Sequence, residues 1–348
     1  MNDQPEPAVR EPGEAVTVLP YLLGYHPTDT LVMLALTRDG EIHANSTVWT
    51  DLPPTQPYLH IAQQYVAAAQ RHGALAVILT VVGQVTAERP DPLPYHDLIQ
   101  VIADTMTLSG VDLLHTTWAS STTTDGHWWC YDDPDVCNGP VPPPEQTPAA
   151  VAAIAAGTVA FTSRQELVEL LHPDDESVLA RRARQITQRL ALAGRAPSDI
   201  QSTAARTALH AIQTAVDSTQ SQHTLTDQDV VQLATALANP LVAAACLGLA
   251  TGQHAEAAER LWLQLTKSTP APYRAEPACQ LAATAYLRGD RALAGVAVDL
   301  AEQASPDHKP AFLLRLVLTL GIPADQVADS LIQLAAEANR VIETGQLT

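Results

Sequence analysis

Two segments in the C-terminal part of the chain share one pattern, and this repeat limits what the chain can fold into. The segments read CLGLATGQHAEAAERLWLQL and TAYLRGDRALAGVAVDL. Gly252 in the first corresponds to Gly289 in the second, and Ala257 corresponds to Ala294 at the same offset. In each segment one helical pattern ends at the glycine and a second one follows, with alanine in its first turns. The pattern predicts two successive helical hairpins, because small residues are needed where paired helices approach closely.

These units resemble helical hairpins of the tetratricopeptide type, and a weaker third unit, LTLGIPADQVADSLIQLA, follows them. Beyond Thr147 nearly every pattern is helical, and a chain rich in alanine with only 2 phenylalanines favours closely packed helices. We therefore expect residues 147–197 to form a helical connector and residues 198–348 to form a helical repeat-like domain. Repeats of this kind present extended surfaces that bind peptide segments.

The N-terminal part alternates strand and helix patterns. TLVMLALT and LAVILTVVG are continuous apolar runs typical of buried strands, and EIHANSTVWTDLP, VDLLHTTWAS and HWWCY are further strand candidates. PYLHIAQQYVAAAQRHG and YHDLIQVIADTMTLSG each have the apolar face of a helix. The order β-β-α-β-α-β-β predicts a mixed sheet flanked by helices over residues 16–146.

The expected fold class is accordingly α+β or α/β, with an N-terminal mixed sheet flanked by helices and a C-terminal all-helical domain containing tetratricopeptide-like hairpins. Residues 1–15, MNDQPEPAVREPGEA, are acidic and rich in proline, so we expect them to be a disordered tail.

The charge balance bears on the kind of partner. The formal net charge is −19, from 19 basic and 38 acidic residues, and Lys267 and Lys309 are the only lysines. Duplex binding needs clustered basic side chains that replace counterions, so we expect no nucleic-acid partner.

No segment approaches the roughly 20 apolar residues of a membrane span, and the acidic start is unlike a signal peptide. We expect a cytoplasmic protein without a membrane partner.

One histidine and two cysteines raise the question of zinc. His127, Cys130 and Cys137 have an H-x2-C-x6-C spacing, and a neighbouring aspartate would supply a fourth zinc ligand. The spacing matches no standard zinc motif, so we expect a hairpin with a reduced cysteine pair and no bound metal. Cys246 and Cys279 lie among alanines and leucines in helical patterns and are expected to be small core residues.

Several segments carry a family resemblance. In order they are LPYLLGYHPTDTLVML, TDLP, GHWWCY followed by Cys137, SRQELVELLHP, and LWLQLT with YLRGDRALAGVAVDLAEQASPDHKPA. Together they cover nearly the whole chain and resemble the actinobacterial family called domain of unknown function 4192. The resemblance implies an α/β N-terminal part, a helical C-terminal part and an actinobacterial or actinophage source, and it implies no activity. Members often carry clustered cysteines and a Cys-Cys-Pro after the tryptophan motif. This chain has a single Cys137 there, which weakens a metal or redox role.

The segment GYHPTDT, just before the first predicted strand, is the first candidate for a site. One interpretation is a binding loop in which His26 and Asp29 supply polar groups. The alternative is structural: Gly24 ends a helix, Pro27 stops it, and Asp29 or Thr30 bonds backbone amides. The candidate ligand- or partner-binding residues are Tyr25, His26, Asp29, Thr30, Asp51, Trp129 and Tyr131.

Signatures of catalysis are absent from the sequence. It contains no Gly-x-Gly-x2-Gly, no Walker-type lysine loop and no Gly-x-Ser-x-Gly, so we expect no cofactor and assign no catalytic residue. The leading hypothesis is a non-enzymatic interaction or regulatory protein that binds an unknown protein partner through its helical C-terminal region. The rival is a small-molecule-binding or hydrolytic α/β enzyme with a site near Gly24–Thr30. A deep pocket lined by His26, Asp29, Asp51 and Tyr131 would favour the enzyme, and a helical groove with exposed apolar residues would favour the interaction protein.

Overall fold

The computed structural model describes residues 11–36, 42–84, 89–155, 160–194, 198–219, 225–320 and 322–344. The chain divides into two compact units, residues 1–166 with 319–321, and residues 167–318 with 322–348. The expected boundary at residue 146 and the expected connector at 147–197 therefore do not coincide with this division, which follows Glu166.

The first unit is built on one six-stranded sheet. Its strands are β1 (Thr30–Leu36), β2 (Ile42–Asp51), β3 (Ala76–Val82), β4 (Asp112–Ala119), β5 (His127–Cys130) and β6 (Asn138–Pro140). The strand order is β2-β1-β3-β4-β5-β6. β3 and β4 run parallel, and the other neighbouring pairs are antiparallel. The mixed sheet predicted from the sequence is confirmed, and the short β6 is an addition to it.

Four helices accompany the sheet, namely α1 (Pro12–Leu23), α2 (Tyr58–Arg71), α3 (His96–Leu108) and α4 (Pro148–Ala155). α2 and α3 pack on one face of the sheet, over the side chains of β1 and β3 that include Met33 and Leu79. The other face meets α1, where Val16 packs against Ala119 of β4. Successive strand residues point to opposite faces, so nearly continuous apolar strands such as TLVMLAL suit a sheet that is covered on both sides.

The expected disordered tail needs a correction at its end. α1 begins at Pro12, a residue type that is favoured in the first turn because it lacks the N–H that a helix start leaves unpaired. Ala15, inside the expected tail, is fully buried. Residues 1–10 lie outside the described part of the chain.

Beyond α4, the named elements are all helices. They are α5 (Arg164–Leu170), α6 (Glu176–Ala193), α7 (Ser198–Thr219), α8 (Asp227–Leu237), α9 (Pro240–Cys246), α10 (Ala255–Ser268), α11 (Ala275–Arg288), α12 (Arg291–Ala304), α13 (Lys309–Leu320) and α14 (Ala324–Thr344). Short 3-10 turns at Leu247–Ala250 and Gly252–His254 connect α9 to α10. In the second unit α11 packs between α10 and α12, and α14 packs against α9.

The two repeated segments have the same turn chemistry. Gly289 ends α11 with φ of 93°, and Gly252 precedes α10 with φ of 76°, a left-handed backbone conformation that glycine adopts at little cost. Ala257 and Ala294, the paired small residues, are both buried. The first segment departs from a regular hairpin because the helix gives way to a 3-10 turn after Cys246. A Cβ at Gly248 in that turn would lie 3.1 Å from the Cβ of Ala335, so α14 approaches closely there.

Within the described residues, no single helix has the length and apolar character of a membrane span. The bent pair Asp227–Leu237 and Pro240–Ala250 meets those two criteria only when its helices are counted together.

Candidate functional site

The residues predicted around GYHPTDT gather at one edge of the sheet, namely the edge at which β1 begins and β2 and β3 end. Thr30, the first residue of β1, is opposite both Asp51 at the end of β2 and Val82 at the end of β3. Because β3 and β4 are parallel, their carboxyl ends meet at this same edge. Open α/β sheets place ligands at the carboxyl ends of their parallel strands.

The polar side chains at this edge bond to one another. His26 Nδ1 lies 2.8 Å from Oγ1 of Thr122, and burial lowers the pKa of His26. Asp29 accepts a hydrogen bond of 2.7 Å from the side-chain amide of Gln84, and its carbonyl accepts one of 2.7 Å from the N–H of Leu52. Asp29 has φ of 46°, a value that Asp tolerates better than most residues. These contacts join the loops at this edge. Gly24 ends α1 as the structural alternative expects, but the Asp29 side chain bonds a side-chain amide and the Thr30 hydroxyl bonds a carbonyl, where that alternative expects backbone amides.

Tyr25 and Thr30 have structural contacts as well. Tyr25 is buried and forms a bridge with Phe161, where the N–H of His26 donates to the carbonyl of Phe161 at 2.9 Å. Thr30 is buried, and its hydroxyl donates to the carbonyl of Thr28 at 2.8 Å. The backbone bridge at Tyr25 and the side-chain hydrogen bond of Thr30 fix the segment that leads into β1.

Trp129 and Tyr131 belong to the core side of the sheet. The ring of Trp129 lies 5.4 Å from that of Trp118 and 4.5 Å from that of His127. Tyr131 is buried, its hydroxyl donates to the carbonyl of Pro94 at 2.5 Å, and burial raises its pKa well above the ordinary value. Its bond to Pro94 is that of a core tyrosine.

The cysteine pair differs from the expectation of two reduced thiols. Cys130 and Cys137 form a disulfide bond, with their Cα atoms 5.4 Å apart, because the antiparallel turn between β5 and β6 brings them opposite each other. The N–H of Cys130 donates to the carbonyl of Cys137 at 2.8 Å. Nε2 of His127 lies 3.1 Å from Oδ1 of Asn138. The described ranges contain no cluster of three or more His, Cys, Asp or Glu side chains with the arrangement of a metal site.

The second unit contains an apolar cavity of about 620 Å³, which we call the helical groove. Its walls come from α8, α9, α11, α13 and α14, and most of the lining side chains are Ala, Leu, Pro and Val. The volume is in the range of roughly 300–1,000 Å³ typical of ligand sites. Sequence patterns did not identify this cavity, since its walls come from segments far apart in the chain.

Three polar side chains in the wall of the helical groove form a connected chain. Sγ of Cys279 lies 3.4 Å from Nδ1 of His308, and Nε2 of His308 lies 3.0 Å from Oε2 of Glu276. Glu276 and Cys279 are three positions apart in α11 and therefore share one face of that helix. His308 directly precedes α13. We call these three residues the thiol–imidazole chain.

The hydrogen bonds assign the protonation of His308. The backbone N–H of Ala311 points at Nδ1 from 3.4 Å, and an N–H can only donate. Nδ1 is therefore the acceptor, and the proton of the neutral ring is on Nε2, from which it bonds to Glu276. Burial, followed by the charges of Glu276 and Glu302, raises the pKa of the Cys279 thiol well above its ordinary value. The thiol of Cys279 therefore lies beside the ring nitrogen of His308 that accepts hydrogen bonds.

Apolar side chains at the mouth of the helical groove are exposed. Leu313 of α13 is 60% exposed and Leu334 of α14 is 49% exposed, and both line the cavity. Phe312, Leu316 and Ile332 are exposed on the same two helices. Large apolar side chains that stay exposed beside an apolar cavity are typical of surfaces that bind ligands or partners.

Few sequence features indicated the helical groove and its thiol–imidazole chain. Cys279 was expected to be a small core residue, and it is indeed buried, but it also lines a cavity. His308 and Glu276 were not candidates, since no short spacing connects them. The one available signal was the unusually apolar helix AFLLRLVLTL, which is too apolar all round for an exposed helix.

The fold is that of an α+β protein with a sheet-based N-terminal unit and a helical unit that contains an apolar cavity. The chain belongs to the family described as Domain of unknown function (DUF4192), whose sequence model matches residues 12–325. This confirms the resemblance carried by the segments from LPYLLGYHPTDTLVML onward. No curated protein and no solved structure matches the chain significantly.

Proposed function

We propose that the chain is a non-enzymatic regulatory protein whose helical unit binds an amphipathic helix of a protein partner in the helical groove. The observation that carries this proposal is the apolar cavity with exposed leucines at its mouth. Amphipathic helices bind such grooves by inserting apolar side chains spaced three or four positions apart. The proposal includes a tetratricopeptide-like character of the two hairpins and a cytoplasmic location, where the Cys130–Cys137 disulfide is an exception to the usual reduced state of thiols.

The polar face of the bound helix should be basic. The formal net charge of the chain is −19, and Asp325 and Asp329 are exposed on α14, the helix that forms one wall of the groove. Opposite charge speeds the encounter of two proteins and disfavours wrong partners. The rival proposal of an enzyme at Gly24–Thr30 has less support, because His26 and Asp29 are each bonded to neighbouring side chains.

The test uses a fluorescent synthetic peptide of about five helical turns. It carries leucines on one face and lysines on the other, and a control peptide has the same composition in scrambled order. We expect the patterned peptide to bind the full chain more tightly than the scrambled one. The double variant Leu313→Asp with Leu334→Asp should weaken binding at least about tenfold, which is about 1.4 kcal/mol.

The matched control is Leu192→Asp in α6, a leucine that is 62% exposed and does not line the groove. It should leave the affinity unchanged. Equal binding of the two peptides, or an equal loss in the control variant, would refute the helical groove as the partner site.

A further inference from the structure

We propose that Cys279 is an acylation site, at which a long-chain acyl group is transferred from an acyl thioester and its chain then fills the helical groove. This inference rests on the groove of the proposed function and adds its regulation, because the acyl chain occupies the space of the partner's helix. The site combines a thiol, a base in contact with it, and an apolar cavity of about 620 Å³.

The geometry provides the base that a protonated thiol needs. Only the thiolate is a strong nucleophile, and burial keeps the proton on Sγ of Cys279. Nδ1 of His308, which accepts the N–H of Ala311, lies 3.4 Å from Sγ. Glu276 bonds Nε2–H at 3.0 Å and so holds the ring in the tautomer that can accept the proton. In this arrangement His308 is the base and Glu276 is a positioning residue.

The transfer balances without an oxidant or reductant. Nδ1 of His308 takes the proton of Sγ as the sulfur attacks the carbonyl carbon of the thioester. A bond forms between Sγ and that carbon, and the bond from the carbon to the donor sulfur breaks. The proton passes from His308 to the departing thiolate. One thioester and one thiol become another thioester and another thiol.

The surroundings favour an acyl chain over other uses of this cysteine. The cavity wall is mostly Ala, Leu, Pro and Val, which suits a hydrocarbon chain. A metal ion is a poor fit, because no group of three or more His, Cys, Asp or Glu side chains in the described part of the chain is placed to hold one. Cys246, the other free cysteine in the described residues, is equally buried and does not line the groove. It therefore provides an internal control.

The experiment incubates the purified full chain with palmitoyl-coenzyme A at neutral pH and follows intact mass and peptide maps. We expect one acyl group per chain, located on Cys279 and released by neutral hydroxylamine. Cys279→Ser should abolish the adduct, and Cys246→Ser should leave its rate unchanged. Acetyl-coenzyme A at the same concentration should react at least about tenfold more slowly, because its short chain gains little from the groove.

Three further variants separate the chemical roles of His308 and Glu276 from their effects on stability. His308→Asn keeps a good N-cap residue for α13 but removes the base, so the rate should fall at least about tenfold with an unchanged melting temperature. Glu276→Gln keeps an acceptor for Nε2–H and should retain most of the rate that Glu276→Leu loses. A rate insensitive to His308→Asn would overturn the assignment of the base.

The outcomes also separate this inference from the proposed function. Four outcomes would each overturn the proposal that Cys279 is acylated. They are no reaction at Cys279, equal labelling of Cys246, equal rates with acetyl and palmitoyl donors, and release of free fatty acid without a retained adduct. The peptide assay on the unmodified chain tests the partner site independently. If both hold, the acylated chain should bind the patterned peptide at least about tenfold more weakly.

Discussion

Arg182 donates two hydrogen bonds to one carboxylate oxygen of Asp227, from Nε at 3.0 Å and from Nη2 at 2.6 Å. Nη1 of the same guanidinium donates to Asp174 at 2.6 Å and to the carbonyl of Ser268 at 2.8 Å. The side chain of Arg182 is only 7% exposed. One arginine thus connects α6 to the start of α8 and to the end of α10, and its buried charge is compensated by two carboxylates.

Loss of this arginine should destabilise the helical unit. Arg182→Met removes charge-assisted hydrogen bonds from a buried position, and we expect a cost of about 1–3 kcal/mol, moderated because both carboxylates are partly solvated. Arg181→Met is the matched control, since Arg181 also bonds Asp227 but is 48% exposed. The control should change stability by less than about 0.5 kcal/mol. Urea unfolding of both variants measures the two losses of unfolding free energy, and equal losses would contradict this account.

The same cluster predicts an acid sensitivity. Hydrogen bonds from Arg182 and then Arg181 lower the pKa of Asp227 below its ordinary value of 3.8. In the window between the folded and unfolded pKa values, the unfolded state binds more protons than the folded state. The stabilisation is therefore complete above pH 3.8 and is lost as the pH falls through the folded pKa. Asp227→Asn should remove this part of the acid-induced loss of unfolding free energy. If the unfolding free energies of wild type and variant fall equally as the pH is lowered, this prediction is wrong.

Two glycines in neighbouring helical segments should respond oppositely to the same substitution. Gly289 has φ of 93° at the end of α11, where an alanine Cβ costs about 1–2 kcal/mol, so Gly289→Ala should destabilise the chain. Gly295 lies inside α12, and an added Cβ would meet no atom within 4 Å, so Gly295→Ala should stabilise the chain by about 0.5–1 kcal/mol. Thermal melts test both signs. Changes of the same sign would contradict the assigned backbone conformations.

The two repeated alanines should not tolerate replacement by a larger side chain. Ala257 and Ala294 are buried in α10 and α12, and a leucine at either position would overpack the helices at a cost of about 1–3 kcal/mol. Glu256→Gln, which changes an exposed side chain paired with Arg260, should do little. Unchanged melting temperatures for both leucine variants would contradict the interpretation of this region as a repeat.

Local chemistry explains how much of the fold was predictable. The buried strands TLVMLAL and AVILTVV are identified by runs of residues next to one another in the sequence. The left-handed turn at Gly289 follows from a single residue type. Thr226 caps α8 through a reciprocal bond with Asp229, a signal contained in four residues. Each of these features depends on interactions within a few positions, so the sequence alone was sufficient for them.

Tertiary packing decided the rest. Tyr131 was a site candidate by its place beside the tryptophans, but core packing brings its hydroxyl to Pro94. Cys130 and Cys137 were expected to be a reduced pair in a hairpin, whereas the turn between β5 and β6 brings them into a disulfide bond. Cys279 and His308 lie on separate helical segments, and no pattern of neighbouring residues encodes their 3.4 Å contact. Sequence by itself determined the elements and their class, because those follow from local propensity and periodicity. The helical groove and its thiol–imidazole chain depend on how α11, α13 and α14 pack, and that is a property of the folded chain alone.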